Sequence, residues 1–148
     1  MSQANNANAI PFGFTFNGEC FDAHGKYIDP PGKGLTCATF VISAFHSQSY
    51  KFIRLDEWLP SDANIPWQTS MIEAMKSKQV SEKHIEAVTK DLGAARFLPE
   101  EVGCAAERPH ENWAIGRNEA QAFAAEMIAL LNEAYPQPAA EKGRQGLP

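Results

Sequence analysis

The fold of this chain hinges on one stretch: Gly34-Leu35-Thr36-Cys37-Ala38-Thr39-Phe40-Val41-Ile42-Ser43-Ala44-Phe45. The loop Asp29-Pro30-Pro31-Gly32-Lys33-Gly34 precedes it, and two prolines with two glycines cannot sit inside a regular element. From Thr36 to His46 the chain reads as a helix that is apolar nearly all round, which predicts a buried helix. Cys37 opens that helix. A helix N-terminus carries about half a positive charge and unpaired N–H groups, and both favour a thiolate. The same N–H groups can receive an oxyanion, so Thr36 and Ala38 are candidate backbone support beside the nucleophile candidate Cys37.

Upstream, Phe12, Phe14 and Phe16 alternate with small or polar residues and are followed by Asn17-Gly18. Alternation closed by Asn-Gly predicts a hairpin with Glu19 to Ala23. Downstream, Lys51 to Arg54 and Arg96 to Leu98 read as short strands. Ile65 to Lys78 reads as a helix with Pro66 near its start, and Glu82 to Leu92 as another between Ser81 and Gly93. Pro99-Glu100-Glu101 opens a short helix, and Asn118 caps a last one over Glu119 to Glu133. Its stripe of Phe123, Met127, Ile128, Leu130 and Leu131 predicts a core-facing side. The sum is an α+β domain over residues 10–135, with about four helices and a short antiparallel sheet or hairpin. Residues 1–9 and 136–148 lack apolar periodicity and read as disordered termini.

The chain has 148 residues, and 13 basic against 18 acidic side chains leave a net charge of −5. That balance argues against non-specific nucleic-acid binding, which needs a basic surplus. No apolar run approaches the ~18 residues of a membrane span, and the polar start, Met1 to Ala9, lacks the features of a secretory signal. Three cysteines, none in a C-x-x-C, read as reduced thiols in a cytoplasmic setting, with export by another route left open. The spacing of Cys20, His24 and Cys37 matches no standard zinc site, so no metal is expected.

The stretch from Gly34 to Phe45 resembles the nucleophile helix of the papain-like superfamily, and most of all its circularly permuted, NlpC-type amidases and peptidases. The wider segment Ile10 to Trp58 resembles bacterial proteins of that group. The resemblance implies a small papain-like α+β core with a buried nucleophile helix, and a cysteine hydrolase or acyltransferase that needs no cofactor. Cys37 would attack an amide, isopeptide or ester carbonyl of a peptide, protein or lipid substrate and form an acyl-enzyme. In permuted members the histidine base precedes the cysteine, which here leaves only His24. His110, with Asn112 and Trp113 nearby, is the alternative base, in the order of the unpermuted enzymes. His46, about 13 Å along the same helix, reads as a C-terminal cap, and His84 as exposed. The short segment before Cys37 leaves room for only a hairpin. A partner chain or second copy completing the site, or an inactive module acting in protein interaction, is therefore the alternative.

Overall fold

Local capping decides where the helices begin. The computed structural model describes residues 10–16, 18–30 and 32–136. Five α-helices follow in chain order: α1 (Cys37–Ser47), α2 (Ile65–Ser77), α3 (Glu82–Thr89), α4 (Pro99–Glu107) and α5 (Arg117–Ala134). Thr36 and Thr39 form a reciprocal cap on α1, because the Thr36 hydroxyl accepts from the Thr39 N–H and Thr39 Oγ1 accepts from the Thr36 N–H. Prolines occupy the first turns of α2 and α4, where a missing N–H costs nothing. Ser81 caps α3 by accepting from the His84 N–H. The start of α5 is not set by Asn118. Gly116 is its N-cap, and Glu57, far away in sequence, accepts the Arg117 N–H at 2.7 Å.

The expected sheet does not form. The described residues contain no strand, only two isolated bridges, Phe21 with Tyr27 and Ile53 with Ile115. This overturns the α+β, papain-like core. The strands of the hairpin expected around Asn17-Gly18 do not pair among the described residues, and Asn17 itself lies outside them. The turn sits instead at Asp22 to Gly25. Asp22 Oδ1 accepts the N–H groups of His24 and Lys26, and Gly25 supplies the positive φ of 76°. The phenylalanine segment lies across helices rather than beside a strand. Phe14 packs with Ile72 and Met75 of α2 and with Ile85 and Val88 of α3. Phe16 meets Phe97 edge-on at 5.5 Å.

That segment is held by close backbone contact. The Leu35 N–H donates to the Pro11 carbonyl at 2.9 Å. A Cβ on Gly34 would lie 2.4–2.5 Å from backbone atoms of residues 11–13, so only glycine fits the crossing.

The larger core joins Ala38 and Ile42 of α1, Phe52, Ile53 and Trp58 of the following segment, Val102 and Ala105 of α4, Ile115, and Ala120 of α5. Residues 51–54 are coil tied to Ile115, whose N–H donates to the Phe52 carbonyl and whose carbonyl accepts from the Arg54 N–H. Arg96 to Leu98 is also coil. Nor is α1 buried all round. It buries Ala38, Thr39, Ile42 and Ser43, while Cys37 and Phe40 face outward. No helix among the described residues is long and apolar enough to cross a membrane. Residues 1–9 and 137–148, read from sequence as disordered, lie outside the described residues.

Candidate functional site

Cys37 is the first residue of α1 and its thiol is exposed. The first-turn N–H groups beside it have no intrahelical acceptors. Thr36, the expected backbone support, has already given its N–H to Thr39 Oγ1 at 2.8 Å. Ala38 is buried on the opposite side of the turn from solvent.

The four histidines have different settings. His24 sits exposed at the tip of the Asp22–Gly25 turn, where its backbone N–H is bound by Asp22. His110 lies in a short 3-10 turn, its ring edge-on to Trp113 at 4.8 Å and to Tyr50 at 6.0 Å. His46 is in the last turn of α1, as expected, with its ring against Gly18. Burial, and then the nearby Lys51 ammonium, lower its pKa. His84 is half-buried rather than exposed, and its Nε2 lies 2.8 Å from the Phe12 carbonyl. Among the described residues Cys37 hydrogen-bonds to none of them.

The other two thiols are structural. Cys20 is fully buried beneath α1 and donates to Ser43 Oγ at 3.1 Å. Cys104 is buried against Met127. Burial raises the pKa of both. No group of three or more His, Cys, Asp or Glu among the described residues is placed to hold a metal ion.

The most unusual surface is one that sequence patterning assigns to the core. α4 runs antiparallel to α5: Arg108 lies over the Phe123 ring at 3.4 Å, and Cys104 meets Met127. But α4 has 9 residues and α5 has 18. At 1.5 Å per residue they span about 14 and 27 Å. Those contacts lay α4 along the middle and distal part of α5, whose buried residues are Ala120 and Ala124. Beyond Met127, Ile128 is 42% exposed, Leu130 65%, Leu131 50% and Tyr135 71%. Glu126 and Glu133 flank this stripe on one side, seven residues apart, and neither has an ion-pair partner among the described residues. One signal in the sequence does mark this surface. Ile128, Leu130 and Leu131 together wrap a wider arc than one packed neighbour can cover.

Neither protein-family models, nor curated proteins, nor solved structures match this chain.

Proposed function

We propose that this chain is a protein-interaction domain that receives a basic, amphipathic helix of another protein on the distal half of α5. The observation that carries this reading is that four large apolar side chains at the end of α5, Ile128, Leu130, Leu131 and Tyr135, stay 42–71% exposed. Contiguous exposed apolar surface on a folded chain marks an interaction site.

Chemistry selects the occupant. Residues 1–9 and 137–148 contain Met1 and Leu147 as their only large apolar side chains, too few to cover the stripe. A second copy packed antiparallel would set the Glu126–Glu133 flank against itself, and like charges across a helix pair are unfavourable. The same carboxylates are repelled by an anionic lipid surface. A helix with apolar residues at i, i+3, i+4 and i+7 and Lys or Arg along one edge satisfies both the stripe and its flank.

A labelled synthetic helix of leucines with a lysine flank tests this by fluorescence anisotropy. It should bind about tenfold more tightly than the same peptide with a glutamate flank. Leu131→Glu, at an exposed position, should abolish binding, and the Glu126→Lys/Glu133→Lys pair should reverse the preference. Absence of binding to either peptide, or self-association through α5 in sedimentation, overturns the reading.

The hydrolase reading retains one supporting observation, the exposed Cys37 thiol at the start of a capped helix. Iodoacetamide should label Cys37 alone in the native chain, with Cys20 and Cys104 reacting only on unfolding. Labelling of Cys37 that stays fast at pH 6 supports a thiolate nucleophile. Labelling that declines with pH as for a free thiol supports the interaction domain.

A further inference from the structure

We propose that the groove where Phe12 crosses the α2–α3 corner is a binding site for a small apolar carboxylic acid. The cavity there measures about 350 Å³, within the range of small-molecule sites. Its walls are Pro11, Phe12, Met75 and Val80. Met75 is buried at its floor, and an unbranched thioether adapts to an apolar guest. The wall is fixed in place, because His84 Nε2 bonds the Phe12 carbonyl at 2.8 Å and joins the N-terminal segment to α3.

Lys83 supplies the charge at the rim. It is exposed and has no ion-pair partner among the described residues, whereas Lys76 on α2 is bound to Glu73 at 2.8 Å. No carboxylate lines the groove. A guest amine would therefore meet a like charge. A sugar or nucleotide would find too few polar partners, since beyond Lys83 and the engaged His84 only a serine hydroxyl is present. A hydrocarbon body against Phe12, Met75 and Val80, with its carboxylate on the Lys83 ammonium, matches both halves of the lining. This assignment does not rest on the α5 surface.

Octanoate is the test probe and 1-octanol its neutral counterpart, followed by amide shifts in NMR titrations of the full chain. Octanoate should give saturable shifts at residues 11–12 and 80–84. Lys83→Gln, at an exposed position, should weaken octanoate about fivefold and leave octanol unchanged. Val80→Trp fills the groove and should abolish both. The proposal is overturned by the absence of saturable shifts at these residues, by equal binding of octanoate to the Lys83→Gln chain, or by a folded Val80→Trp chain that binds as before.

Discussion

Phe52→Ala should lower the unfolding free energy by about 3–5 kcal/mol, a large share of the ~5–15 kcal/mol typical of a folded domain. Phe52 is fully buried, with its ring 4.9 Å from that of Phe45 and 5.9 Å from that of Trp113. It sits where α1, α4, α5 and Ile115 converge. Truncation removes the transfer free energy of the ring and leaves a cavity, since hydrogen bonds from Ile115 and Arg54 pin the surrounding backbone and limit collapse. The urea midpoint should fall with little change in slope. Phe40→Ala is the control. Phe40 is 46% exposed and, among the described residues, its ring meets only that of Phe21, at 6.1 Å, so the cost should stay at ~0.5 kcal/mol. Comparable costs for the two variants would show that residues 51–54 are not part of the core.

Gln68→Met should cost about 1–3 kcal/mol although it replaces a polar group by an apolar one of similar size. Gln68 is 1% exposed on α2. Its Oε1 accepts the Gly93 N–H at 2.7 Å, and its Nε2 donates to the Ala94 carbonyl at 3.0 Å. The Ala94 carbonyl also accepts from Asn64 Nδ2, so it keeps a partner in the variant. The Gly93 N–H loses its acceptor inside the protein, and that orphaned donor carries most of the cost. Gln68→Glu keeps the acceptor and loses one donor. It should recover part of the stability wherever the carboxylate is protonated, and therefore fare better at pH 4 than at pH 7, relative to Gln68→Met. A Gln68→Met chain as stable as the parent would mean that Gly93 finds another acceptor.

The helices were legible because their signals are local. Thr36, Ser81, Pro66 and Pro99 each act within one turn, and every predicted helix is present. Ser81 and Gly93 bracketed α3 well, although the helix itself stops at Thr89 before a turn. The strands were not legible, because pairing is a long-range choice. Phe12, Phe14 and Phe16 alternate as a strand would, but alternation only requires a surface to lie on, and the helices supply it. The turn at Asp22 to Gly25 is instead held by one carboxylate oxygen that binds two N–H groups. The last helix shows the same limit differently. Apolar periodicity finds a face that needs covering, but the way α4 packs on α5 decides how much of it this chain covers itself.

By itself, then, the sequence determined where the helices lie, the first-turn position of Cys37 on α1, and the acidic balance of charge, because capping, periodicity and charge are properties of neighbouring residues. Tertiary structure alone decided the rest. It gave His24, His46, His84 and His110 four separate settings with no hydrogen bond to Cys37 among the described residues, replaced a sheet by coil packed on helices, and left Ile128, Leu130, Leu131 and Tyr135 exposed. Each of these depends on which distant surfaces meet. Packing settles that over the whole chain, and no local pattern encodes it.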